Sequence, residues 1–240
     1  MTEKYVLIHG AWQGEWAWLS VAEKLRSEGK DVLTFDLPGS GQDLTLPGNV
    51  TLEGYAETII SQASKFSTAG DITLVGHSMG GAAVTLAAAL APELFSRIVY
   101  VCAFAPRAGE SVAGLGEESN QLGVTGPKAD INLEDGIATL TPEYIPGTFF
   151  NDCKEDKYQH LLQYFRPQPL GPVITPLSSG VESIPLARTF IICTQDRAVS
   201  PAFQRSMAER AGISDIRILE SGHEPFISVP DELVRQLVTI

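Results

Sequence analysis

The chain has 240 residues, 44% of them hydrophobic and 19% charged, enough for one α/β domain with a full core and room for an insertion. Its 29 Asp and Glu against 17 Lys and Arg leave a formal net charge of -12. That balance argues against nucleic acid or an anionic membrane as partner, because both need a basic face.

Met1-Thr2-Glu3-Lys4 leads straight into a strand, which reads as a chain without a signal peptide. That strand, Tyr5-Val6-Leu7-Ile8, is wholly apolar, as a central parallel strand is, and it ends in His9-Gly10-Ala11-Trp12. A helix follows with Trp18, Val21, Ala22 and Leu25 on one face, closed at Gly29. Val32 to Phe35 reads as a second strand, and Asp36 to Gly41 as a turn-rich loop. Thr51 then caps a helix that buries Tyr55, Ile59, Ala63 and Phe66. Ile72-Thr73-Leu74-Val75 is a short β-branched strand, Gly76-His77-Ser78-Met79-Gly80 a corner, and 81–90 a helix apolar all round, hence buried all round. Arg97 to Phe104 is a fourth strand, ended by Pro106.

From 107 to 185 the pattern changes. Glycine and proline become frequent, strand-like runs are absent, and one amphipathic helix stands out. It opens at Asp152 with Glu155 three residues on, a capping-box spacing, and buries Tyr158, Leu161, Leu162 and Phe165 before Pro167 and Pro169 end it. The segment 106–185 is expected to be a cap inserted into a single domain whose core is 1–105 and 186–240. Alternation then resumes with a strand at Thr189–Cys193, a helix from Pro201 to Ala211, a strand at Ile216–Leu219 and a last helix carrying Leu233, Val234 and Leu237. Strands alternating with helices predict an α/β fold, a mostly parallel central sheet with helices on both faces. No apolar run approaches the roughly 18 residues of a membrane span. The three cysteines, Cys102 and Cys193 in strands and Cys153 at the head of the polar helix, do not read as a disulfide framework, so a reducing, cytoplasmic setting is the expectation.

The corner at Ser78 carries the chemistry. A bare G-x-S-x-G arises by chance in on the order of one chain in ten of this size. Between a buried strand and a buried helix, however, it is a nucleophile elbow, which exposes a strained serine beside the amides of a helix start. A serine hydroxyl needs a base, and the chain has four histidines. His77 adjoins the serine but diverges from it, His9 steadies a loop after the first strand, and His160 lies on a solvated helix face. His223, just after the last strand, is left as the base. The acid is expected between Ser78 and His223 and after a strand, which selects Asp196 over Glu110 and Asp215. The oxyanion hole is expected from the amides of Met79 and Ala11. Gly10, Trp12, Phe149, Phe150, Tyr158 and Leu162 are expected to line a substrate pocket, with Tyr164 nearby. The alternative is that these aromatics glue the cap to the core.

With these residues in view, the chain resembles the α/β-hydrolase superfamily over its whole length, and within it the branch of small esterases and hydroxynitrile lyases that includes plant methyl esterases. The matching signatures are His9-Gly10-Ala11-Trp12 with Gly14 and Trp16, Gly76 to Gly81, Gln195 to Arg205, and Ser221-Gly222-His223 with Pro225-Phe226. The resemblance implies an α/β-hydrolase fold with a Ser78-His223-Asp196 triad, an oxyanion hole at Ala11 and Met79, a small ester substrate, and no metal or organic cofactor. It also holds open cyanohydrin cleavage; a non-catalytic binder on the same fold is the third reading, and a homodimer is open beside all three. The branch's lyases carry lysine after the histidine and threonine or asparagine at the position of Gly10. Here Glu224 and Gly10 stand there, and both departures favour ester hydrolysis.

Overall fold

Alternation along the first strand sets the layers. In β1 (Lys4–Ile8) Tyr5 and Leu7 join one buried cluster, while Val6 and Ile8 join another on the opposite face. The computed structural model describes residues 2–240; Met1, the first residue of the stretch read as lacking a signal peptide, lies outside them. After β1 come α1 (Leu19–Ser27), β2 (Asp31–Thr34), α2 (Leu52–Phe66), β3 (Ile72–His77), α3 (Gly80–Leu90) and β4 (Phe95–Val101). The intervening segment holds α4 (Val112–Asn120), β5 (Ala129–Asn132), β6 (Ile137–Leu140), α5 (Ile145–Phe149), α6 (Glu155–Tyr158), β7 (Gln168–Pro169) and α7 (Gly171–Ile174). β8 (Ala187–Cys193), α8 (Pro201–Arg210), β9 (Asp215–Leu219), α9 (Pro225–Ser228) and α10 (Pro230–Val238) complete the chain.

The main sheet has the order β2-β1-β3-β4-β8-β9, and every neighbouring pair in it is parallel. All six carboxyl ends therefore open on one rim. Tyr55, Ile59, Ala82 and Val84 from α2 and α3 cover one face, and Val21, Leu25, Leu233 and Val234 from α1 and α10 the other. The Thr51 hydroxyl accepts from the Gly54 N–H at 2.9 Å and caps α2. α3 is buried over all but its last two residues, so its small side chains let the sheet and α2 close on it. No helix among the described residues is long and apolar enough to cross a membrane.

Between β4 and β8 the structure corrects the sequence reading. Strands are present: β5, β6 and β7 form a second, antiparallel sheet. α4 is a helix that the pattern concealed. Asp152 does not cap a helix. α6 starts at Glu155, runs for one turn and tightens into a 3₁₀ segment, Gln159–Tyr164. The Asp152 carboxylate instead accepts from the Gly222 N–H at 2.6 Å. Cys153 lies ahead of that turn, and all three cysteines are free thiols. Tyr158, Leu161, Leu162 and Phe165 are half-buried, packed on Leu140, Ile145, Phe149 and Phe150 in a small cluster of their own.

Candidate active site

At the end of β3 the chain must turn into α3 within two residues. Ser78 takes a φ of +52°, and the corner closes only because Gly76 and Gly80 lack side chains. A Cβ on Gly80 would sit 2.4 Å from the His9 carbonyl oxygen, and one on Gly76 2.7 Å from Val84 Cγ2. Ser78 shares its left-handed backbone with Trp12 (φ +63°) and Cys102 (φ +37°), the other non-glycine residues of that kind among the described residues. These follow β3, β1 and β4 in turn, so backbone strain gathers on one rim of the sheet.

On that rim the Ser78 Oγ lies 3.0 Å from His223 Nε2, and His223 Nδ1 lies 2.8 Å from Asp196 Oδ2. The carboxylate requires the ring proton on Nδ1, which leaves the Nε2 lone pair facing the hydroxyl. Asp196 is fixed in turn: its Oδ1 accepts from the Ala198 and Val199 N–H groups at 2.7 and 2.9 Å, and its Oδ2 from Gln204 Nε2 at 2.9 Å. The His223 carbonyl accepts from His77 Nε2 at 2.8 Å, and the ring of Phe149 packs edge-on against the imidazole of His223. Burial holds His77 well below the ordinary imidazole range, so its ring is neutral with the proton on Nε2, where that carbonyl needs it.

The remaining candidates lie elsewhere. Glu110 pairs with Arg210, Asp215 with Arg97 and Arg217, and His160 is exposed. His9 Nε2 accepts from the Leu37 N–H at 3.1 Å and braces the loop after β2. Among the described residues neither the Ala11 nor the Met79 amide N–H has a hydrogen-bond partner, and both residues border the same cavity as Ser78.

That cavity measures about 210 Å³ and is walled chiefly by Trp12, Phe104, Val112, Ala113, Val173 and Val199. Of the expected pocket residues only Trp12 lines it. Gly10 lies beneath the serine, where a Cβ would come within 2.8 Å of Ser78 Cβ. Phe149, Phe150, Tyr158 and Leu162 belong to the cluster that joins the inserted segment to the rim. The missed wall is α4. Its signal was Ser111, whose hydroxyl accepts from the Gly114 N–H, with Val112 and Leu115 at helical spacing. Gly114 and Gly116 masked it, because two glycines lower helix propensity by about 2 kcal/mol relative to alanine. Glu224, which stands after His223, does not border the cavity either. It is fully buried and faces Gln13.

Among the described residues His77, Cys102 and His223 offer donor atoms within 4.8 Å of one another, an arrangement that could suggest a metal site. Those atoms are engaged: His223 with Ser78 and Asp196, and His77 Nε2 and Cys102 Sγ with the His223 carbonyl. Burial also pushes the Cys102 thiol well above the ordinary range, away from the thiolate a metal would need.

A parallel sheet with a strained serine at the third strand's corner, and a histidine after the last strand within reach of it, defines a class. The chain belongs to the alpha/beta hydrolase family, whose model matches residues 5–236. It falls among the ester hydrolases built on this fold. It is 30% identical to the carbendazim hydrolyzing esterase of Nocardioides sp., over 98% of this chain and 98% of that protein. To methylesterase 9 of Arabidopsis thaliana it is 28% identical, over 98% of this chain and 97% of the relative. The crystal structure of polyneuridine aldehyde esterase superposes with a TM-score of 0.87 at 23% identity, covering 100% of this chain and 99% of that one, which is a likeness of fold.

Proposed function

We propose that the protein hydrolyses small carboxylic esters through an acyl-enzyme on Ser78. His223 Nε2 takes the hydroxyl proton as Ser78 Oγ attacks the ester carbonyl, and Asp196 stabilises the imidazolium that forms. The Ala11 and Met79 N–H groups receive the tetrahedral oxyanion. As the intermediate collapses, the C–O bond breaks and His223 protonates the departing alcohol. Water, deprotonated by the same imidazole, then releases the acid and regenerates Ser78. The observation that carries this reading is one unbroken chain of hydrogen bonds, Ser78 to His223 to Asp196, with Ser78 lining a cavity that two amides, unpartnered among the described residues, also border.

Size narrows the substrate. A cavity of about 150 Å³ holds benzene. The 210 Å³ beside Ser78 suits a single ring with a short tail, or an acyl chain of middle length. No Lys or Arg lines the cavity, so nothing there would stabilise a departing cyanide, and ester cleavage is favoured over cyanohydrin cleavage. The test is turnover of a p-nitrophenyl ester by the Ser78→Ala variant. The expected loss is at least about 10⁴-fold, leaving only what binding and the amides supply. A rate near that of the parent would remove Ser78 from the mechanism.

A further inference from the structure

A buried polar connection behind the site has no part in the steps above. Gln13 and Glu224 are 1% and 0% exposed, yet one is an amide and the other a carboxyl group. Gln13 Nε2 lies 2.6 and 2.7 Å from the two Glu224 oxygens, so at least one of them accepts in either protonation state. At its other end Gln13 Oε1 accepts from the Gly10 N–H at 3.0 Å and stands 3.2 Å from His77 Nδ1. One side chain thus touches the loop after β1, the residue before Ser78 and the residue after His223.

The loop it holds is the one that carries Ala11. From outside, that loop is gripped by the inserted segment: Gln168 Oε1 accepts from the Trp12 N–H, the Ala138 carbonyl from Trp12 Nε1, and the Trp12 carbonyl from the Arg166 N–H. From inside, the bond from Gly10 to Gln13 is the counterpart. Stability is a poor reason for it, since buried polar pairs of this kind are matched or bettered by apolar residues of the same volume. Aim is a better one. An amide that must meet an oxyanion works only within a few tenths of an ångström.

We propose that Gln13 and Glu224 are positioning residues of the oxyanion hole: Glu224 orients the Gln13 amide, and Gln13, bound to the Gly10 N–H, fixes the direction of the Ala11 N–H. This rests on the reading of Ala11 as an oxyanion donor, and the two can fail separately.

The test compares the parent with the double variant Gln13→Leu/Glu224→Leu, which replaces both groups by apolar ones of similar size. The readouts are Tm, kcat and KM on p-nitrophenyl butyrate, and inhibition by a trifluoromethyl ketone, which forms an oxyanion on Ser78. The expected result is a kcat lower by about ten- to a hundredfold, KM within about twofold, and ketone affinity lower in proportion to kcat. Glu224→Gln, which keeps an acceptor for Gln13, should restore most of the rate. A double variant that retains kcat and ketone affinity overturns the proposal, as does one that loses Tm while ketone affinity stays at the parent value. If the double variant does not fold, Gln13→Met, which keeps the length and removes the Gly10 acceptor, is judged by the same ratio. A parent enzyme indifferent to the ketone would instead overturn the oxyanion reading itself.

Discussion

At Gly10 the room for a single methyl group governs the site. A Cβ there would lie 2.8 Å from Ser78 Cβ, 2.9 Å from His77 Nδ1 and 3.1 Å from Gln13 Oε1. None of these can yield freely. Ser78 is set by the elbow, the His77 ring is tied to the His223 carbonyl, and Gln13 is tied to Glu224. The loop itself would have to retreat, and the Ala11 N–H with it. Gly10→Ala is therefore expected to lower kcat on p-nitrophenyl acetate by at least about tenfold, the scale on which sub-ångström misplacement acts. Gly10→Thr, which installs the residue of the lyase branch, should lose the esterase rate without releasing cyanide from mandelonitrile, because the hydroxyl arrives with the same clash. Cyanide release above background from that variant would show that the loop adapts.

Among the elements, the division between what the sequence disclosed and what it hid follows length and burial. The sheet strands are short apolar runs beside amphipathic helices, so their period is plain, and Ser78, His223 and Asp196 could be placed at strand ends before any contact was known. The inserted segment lacks such runs. Most of β5 is exposed and shows no alternation, β7 is two residues long and contains Pro169, and α4 is interrupted by glycine. Asp152 was legible as a residue with a task, but the spacing to Glu155 suggested a helix cap, whereas its partner, the Gly222 N–H, lies 70 positions away. Long-range partners of that kind leave no period to read. The aromatic residues expected at the pocket lie in the cluster beside the cavity for a related reason: aromatic residues mark a packed cluster as readily as a binding wall, and small residues such as Ala113 mark a cavity by what they leave unfilled. The two roles separate experimentally. Phe149→Ala removes a ring packed on Trp12, Phe165 and His223, and should cost about 3–5 kcal/mol of stability with chain-length preference among p-nitrophenyl esters unchanged. Ala113→Leu, at the cavity wall, should leave Tm nearly unchanged and shift the preference toward shorter acyl chains. The reverse pattern would return Phe149 to the pocket.

For the whole molecule, stability against pH is set by a few buried groups more than by the net charge of -12, whose carriers are mostly solvated. Burial lowers His77 and His9 below their ordinary value of 6.5, and raises Glu224 well above 4.5, where Asp196, Asp152 and Cys193 add to the effect. A histidine lowered in the folded state contributes stability above pH 6.5 that is lost as pH falls, because the unfolded chain takes up the proton first. A raised glutamate does the opposite: its contribution is complete below pH 4.5 and is lost as pH rises through its folded value. Between pH 6 and 5 two imidazoles thus work against the fold and one carboxyl works for it. The second imidazole tips the balance, so acidification across this interval lowers stability. Each variant moves that slope in a known direction. His77→Gln, which keeps a donor for the His223 carbonyl, removes one imidazole and should flatten the pH dependence of urea unfolding across this interval. Glu224→Gln removes the opposing carboxyl and should steepen the slope. Surface carboxylates are common to all three proteins, so their titration cancels in the comparison. A slope that His77→Gln leaves unaltered would mean that this ring does not gain its proton on unfolding, and would place the acid sensitivity of the fold elsewhere.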